Sequence, residues 1–121
     1  MMNKLLELIL QTIKEKHPRV YHEVAPSNVK YPYIVFNVSD GFKSHRDDLT
    51  LIIDIWDRNT SSMTIEDLTD SIDSLLDEAN IFNEFVLTTF YRQTRMKVED
   101  PDVKLKRRQL RFHIQTYFKE V

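Results

Sequence analysis

Leu49-Thr50-Leu51-Ile52-Ile53-Asp54-Ile55-Trp56-Asp57-Arg58 is the stretch around which the chain organises itself. Leu49, Leu51, Ile53 and Ile55 project to one face of an extended strand, and Thr50, Ile52, Asp54 and Trp56 to the other. Both faces are partly apolar, as in a central strand covered by helices on one side and by something else on the other. Asn59 to Ser62 ends the strand, and a helix is predicted from about Met63 to Asn80. Its stripe is Ile65, Leu68, Ile72, Leu75, Leu76 and Ala79, with Ser62 as N-cap and Glu66 and Asp67 in the first turns. The opposite face carries Asp67, Asp70, Asp73, Asp77 and Glu78.

Upstream, Tyr31 to Ser39 reads as a second strand, with Ile34, Phe36 and Val38 on one face and Tyr33, Val35 and Asn37 on the other. Pro32 suits a strand's first residues, where its missing N–H matters least. Asp40-Gly41 holds the only glycine and signals a turn, and the polar residues up to Asp48 predict a long charged hairpin loop. Val20 to Val24 is a short extended piece. Before it, Leu5, Leu6, Leu8, Ile9 and Ile13 form a helical stripe that Asn3 can cap and that Pro18 stops near Lys16. Downstream, strands are predicted at Phe85–Thr94 and Lys106–Phe118, joined by a charged loop, Arg95 to Leu105, containing Pro101. The order is therefore α-β-β-α-β-β. The expected fold is one α+β domain over residues 1–121, a mostly antiparallel four- to five-stranded sheet with two helices on one face.

Composition narrows the function classes. The chain has 121 residues, 17 Lys plus Arg against 19 Asp plus Glu, and no cysteine. A chain of that length forms a core without a metal or disulfide staple. The formal charge of -2 excludes a globally basic nucleic-acid binder. Without cysteine there is no thiol nucleophile, Cys-ligated zinc or iron–sulfur cluster. Glu7 and Gln11 interrupt the first apolar run and no small-residue cleavage site follows, so neither a signal peptide nor a membrane span is expected.

No catalytic kit emerges from the motifs. His17, His22, His45 and His113 lack metal-ligand spacing, and one glycine cannot build a phosphate-cradling or KH-type loop. Asp102-Val103-Lys104 superficially resembles half of a metal-dependent nuclease signature, with Asp54 as the further acid it would need. Asp102 falls in a predicted loop, however. A small metal-dependent nuclease or nucleic-acid-binding domain is the alternative reading, and a scaffold domain with a protein partner a third. No catalytic, cofactor or metal residue is assigned.

Charge is unevenly placed. Residues 40–80 hold eleven acidic and three basic side chains, whereas residues 81–121 hold nine basic and five acidic. Oppositely charged regions can pair head-to-tail between copies, which gives rings when the rotation closes. A solvated acidic helix face beside a basic strand edge explains the same pattern. Lys106 and Arg108 share a face with Leu110, while Arg107 and Arg111 share the other, which splits the basic cluster.

The opening amphipathic helix, the Tyr31-Pro32-Tyr33-Ile34-Val35-Phe36 strand, the Leu51 to Asp57 strand, the Ile65/Leu68/Ile72/Leu76 helix and the late Leu110 to Ile114 strand together resemble the tail-terminator, or tail-to-head joining, family of long-tailed bacteriophages and prophages. The resemblance implies a non-enzymatic virion component. Such a protein assembles in the host cytoplasm into a homo-oligomeric, hexameric ring on the head-proximal end of the tail tube. Its partners would be its own copies, the tail-tube protein and the head connector, with DNA passing through the lumen unread. Under that expectation Lys106, Arg107, Arg108 and Arg111 are candidates for the subunit interface. Asp70, Asp73 and Asp77 are candidates for an acidic lumen or interface wall, and the loops 40–48 and 95–105 would order on assembly.

Overall fold

A computed structural model describes residues 2–43 and 46–119, with the side chains of residues 40, 42 and 43 outside the description. The elements run α1 (Met2–Lys14), β1 (Val20–His22), β2 (Tyr33–Lys43), β3 (Asp47–Arg58), α2 (Met63–Leu76), β4 (Asn80–Phe82), β5 (Val86–Val98) and β6 (Leu105–Phe118). The α+β class holds, but the sheet has six strands in the order β1-β2-β3-β6-β5-β4. The Leu49–Arg58 stretch lies in β3, one of the two central strands, as its two apolar faces require. Every pairing between described strands is antiparallel except β1 with β2.

Alternation sorts the side chains. Leu49, Leu51, Ile53 and Ile55 of β3 join Ile34 and Phe36 of β2, Leu110, Phe112 and Ile114 of β6 and Val86 and Phe90 of β5 in one core. Leu5, Leu8, Ile9 and Ile13 of α1 and Ile65, Ile72 and Leu76 of α2 complete it. Phe90 and Phe112 meet edge-to-face at 6.3 Å. Buried hydroxyls are satisfied: Thr12 donates to the Leu8 carbonyl and Thr69 to the Ile65 carbonyl, each at 2.7 Å, while Thr88 and Thr116 pair at 3.0 Å. We call the helix-covered side of the sheet inner and the other outer.

Several boundaries differ from expectation. The element order is α-β-β-β-α-β-β-β. α2 stops at Leu76, because Asp77 turns extended (φ -61, ψ 125) and Glu78 is left-handed at φ 62. Glu78 N–H then donates to the Phe90 carbonyl at 2.7 Å, and the chain enters β4, which the continuing helical periodicity conceals. Ser62 makes no side-chain cap; Ser61 Oγ accepts instead from the Met63 N–H at 3.1 Å. Asn3 lies inside α1, which begins at Met2.

The predicted loops are shorter because both hairpins continue through bulges. In β2 the register shifts between Ser39 and Phe42, so residues 40 and 41 together oppose Leu49. Gly41 is required there, since a Cβ would stand 1.4 Å from the Asp48 carbonyl oxygen. Ser44 and His45, part of the predicted 40–48 loop, lie outside the described residues. In β5 the shift falls between Arg92 and Thr94, and the strand runs on to Val98.

Candidate functional site

The bulge in β5 decides where its charges go. Strict alternation would send Arg92 and Arg95 to opposite faces. The extra residue turns Arg95 inward, opposite Leu110, as Arg92 is opposite Phe112. Both guanidinium groups therefore face α2. Arg92 Nε lies 3.0 Å from Asp73, and its N–H donates to Asp77 at 2.9 Å. Arg95 donates to Asp70 at 2.5 Å and to Glu66 at 3.0 Å. Glu66 also accepts from Arg108, whose side chain is 7% exposed. The Arg108 hydrogen bond holds the Glu66 carboxyl below its ordinary value, whereas burial pushes Asp73 up despite Arg92.

The candidate acidic set Asp70, Asp73 and Asp77 is thus brought together, but each member already meets β5. The candidate basic set is divided by the pleat. Arg108 points inward to Glu66. Arg107 points outward and donates through Nε (3.0 Å) and Nη2 (2.8 Å) to Asp54. Gln109 donates to the same oxygen at 3.0 Å. Lys106 is half-buried and Arg111 is exposed on the outer side.

Arg107 also lies over the Trp56 ring at 4.8 Å, and Trp56 stacks on Tyr33 at 6.3 Å and 14°. Tyr31 continues the row, 5.4 Å from Tyr33. This row forms one wall of a shallow outer groove; Glu23, Val24 and Pro26 of the following loop form another. His17 Nε2 lies 2.8 Å from the Pro32 carbonyl oxygen, which also accepts from Arg19 Nε at 3.0 Å, so the wall is tied to the end of α1. Burial holds the His17 imidazole below its ordinary range. At the far corner of the outer face, Phe82 of β4 stands opposite Leu87 of β5, and Leu87 opposite Tyr117 of β6. All three are exposed.

The two carboxylates of the nuclease alternative are held by different cations. Asp102 accepts from the Lys104 N–H at 3.0 Å and pairs with Arg58 at 2.8 Å. Those contacts, the Lys104 bond first, lower its pKa. Arg58 stands four residues from Asp54, about 13 Å along β3. Among the described residues no three metal-ligating side chains gather. His22 packs on Phe36 at 5.1 Å and His113 lies 3.5 Å from Asp48.

Residues 9–117 match the family model described as Tail completion protein gp17. The chain belongs to this family. It is a phage tail completion protein, a structural component of the tail, and the resemblance read from its strands and helices is to the right group. Its fold is similar to a chain in a solved structure described as "Virion of native gene transfer agent (GTA) particle", with a TM-score of 0.68. Identity there is 11%, over 92% of this chain and 96% of that one. A second solved chain matches with a TM-score of 0.60 at 11% identity, over 97% of this chain and 93% of that one. A search of curated sequences finds no significant match. No helix among the described residues of this tail completion protein is long and apolar enough to cross a membrane.

Arg92 and Arg95 were missed by sequence reasoning as α2's partners. Their Arg-x-x-Arg spacing in a β-branched strand places both on one face only if a bulge intervenes, and the spacing alone does not reveal that bulge.

Proposed function

We propose that this tail completion protein works as a homo-oligomeric ring, hexameric, on the head-proximal end of the tail tube. The tail-tube protein would contact one side and the head connector the other, with DNA crossing the lumen without sequence readout. Family membership supports the setting. The observation that carries the mechanism is the disposition of charge and apolar surface. Asp54 and Asp102, the carboxylates of the nuclease alternative, and Asp70 of the acidic set are each held by an arginine of the same protomer. Aromatic and aliphatic side chains meanwhile stand open on the outer sheet face. That is the distribution of a surface that works by contact.

In this proposal the basic interface narrows to Lys106 and Arg111, because Arg107 and Arg108 hold Asp54 and Glu66 within the protomer. α2 remains the candidate lumen wall. Asp70 and Asp77 stay exposed beside Asp67 and Glu78 even though they meet β5. Such a wall repels DNA phosphates and lets the duplex slide. Sedimentation velocity and native mass measurement at raised concentration, with and without isolated tail tubes, test the reading. A closed oligomer, or one formed on tube ends, is expected. A persistent monomer with no affinity for tube ends refutes it.

A further inference from the structure

Residues 25–32 follow β1 as a mostly exposed loop and lead into β2. Among the described residues, three hydrogen bonds join this stretch to the rest of the protein, and all come from the segment just after α1. His17 Nε2 lies 2.8 Å from the Pro32 carbonyl oxygen, Arg19 Nε donates to the same oxygen at 3.0 Å, and Arg19 Nη2 donates to the Tyr31 carbonyl at 3.4 Å. The Val29 N–H bond to the Pro26 carbonyl, at 3.1 Å, is internal to the loop.

One of the three bonds is titratable. A carbonyl oxygen only accepts, so Nε2 of His17 carries the hydrogen and Nδ1 is where a proton is taken up. The imidazolium so formed shares its acceptor with the Arg19 guanidinium. Burial, the largest influence, and Arg19 oppose the charge, and together they outweigh the Pro32 bond that favours it. The other titratable or charged groups on the elements that meet here are Lys14, Glu15 and Lys16 at the end of α1, Tyr21 in β1, and Lys30, Tyr31 and Tyr33 on either side of Pro32. Glu15, the one carboxylate among them, is exposed.

We infer that His17 is a pH-sensitive latch. Neutral, it holds the loop at Pro32 against the end of α1; protonated, it sets two cations on one carbonyl and releases residues 25–32. The latch also sets the outer groove, because Tyr31 and Tyr33 flank Pro32 and Val24 and Pro26 form the facing wall. The latched form binds the proton less well than the released form, whose histidine regains its ordinary value of 6.5. Release is therefore favoured as pH falls through 6.5 toward the lower latched value. The device acts within one protomer and stands independently of the ring reading.

Nuclear magnetic resonance on the full chain tests it. The His17 ring is titrated, and backbone relaxation of Ser27, Asn28, Val29 and Lys30 is measured about one pH unit either side of its midpoint. Their order parameters are expected to fall from about 0.85 above the midpoint to below about 0.6 beneath it, with an unchanged far-ultraviolet circular dichroism spectrum. Trp56, the single tryptophan and stacked on Tyr33, should change its fluorescence with the same midpoint, below 6.5. His17→Gln keeps a side-chain N–H donor that takes up no proton, so its loop should stay ordered at both pH values. His22 lies 3.5 Å from Glu23 at the loop's entrance, and His22→Gln should keep the wild-type change. A wild-type loop equally ordered, or equally mobile, at both pH values overturns the latch. A loss of order that persists in His17→Gln, or vanishes in His22→Gln, assigns the titration to another group and overturns it as well. A His17 midpoint above 6.5 shows that protonation tightens the contact and overturns the direction. The wild-type titration decides this last point even if His17→Gln fails to fold.

Discussion

Glu66 is the point at which the charge arrangement can be weighed. Replacing it with Gln keeps the volume and removes the charge that faces Arg108 and Arg95. Arg108 is then left almost wholly buried; its other hydrogen bond is the 3.1 Å contact to the Arg107 carbonyl. Breaking a fully buried pair costs about 3–5 kcal/mol, whereas an exposed pair is worth about 0–1 kcal/mol. Here the arginine side chain is 7% exposed and the glutamate 43%, so the value falls between, at about 2 kcal/mol. With an m-value of about 1.5 kcal/mol/M, the urea midpoint should fall by about 1.3 M. The sign of the pH effect follows from the lowered Glu66 pKa, whose main cause is the Arg108 bond. The stabilisation is fully present above the ordinary value of 4.5 and is lost as pH falls through the lower folded value. The gap between wild type and Glu66→Gln should therefore be constant near pH 7 and close below pH 4.5. Adding Arg108→Met should recover part of the loss, because the orphaned charge goes with it. A Glu66→Gln midpoint within about 0.3 M of wild type, or a gap unchanged down to pH 3, would refute the view that this pair secures α2 to the sheet.

Asp73 should behave oppositely. Burial raises its pKa, so its ionised form opposes folding above that value and the penalty is relieved as pH falls below the ordinary 3.8; Asp73→Asn should raise the urea midpoint at pH 7, and a clear fall would show that Arg92 outweighs the burial. Gly41→Ala forces a Cβ onto the Asp48 carbonyl and should cost about 1–3 kcal/mol in urea unfolding, and an unchanged midpoint would mean that the bulge relaxes freely. Arg111→Glu changes an exposed outer-face position, so the fold should survive while sedimentation shows weakened assembly; unchanged assembly would remove Arg111 from the interface.

Much of the fold was legible because the core obeys simple periods. The alternation of Leu51, Ile53 and Ile55 and of Leu110, Phe112 and Ile114 marks two strands, and the Ile65, Ile72 and Leu76 spacing marks α2; all of these side chains are fully buried. What was hidden lies where one period gives way to another without a breaker. Ala79 extends the α2 stripe by sequence, yet its carbonyl accepts from the Phe90 N–H at 3.1 Å because the backbone turned at Asp77 and Glu78. No proline or glycine announces that turn, and a three-residue strand is too short to show alternation. β1 is equally short, and its parallel pairing to β2 is set by the path of the 23–32 loop.

The site was legible in composition but not in connection. An acidic central segment and a basic late segment are compatible with two pairings: between copies, or within one. The Arg92/Thr94 bulge selects the second for part of these charges, since it brings Arg95 to the face of Arg92 and so aims both at Asp73, Asp70 and Glu66. A bulge is one residue of excess against a partner strand, and a pattern read along a single chain cannot register it. Once those charges are held inside the protomer, the acidic face can still act as a wall. In the proposed oligomer the remaining contact surface would be apolar side chains exposed on the outer face, Tyr31, Phe82, Leu87 and Tyr117 among them. In the proposed ring, charge would govern the approach and register of copies and apolar contact would hold them.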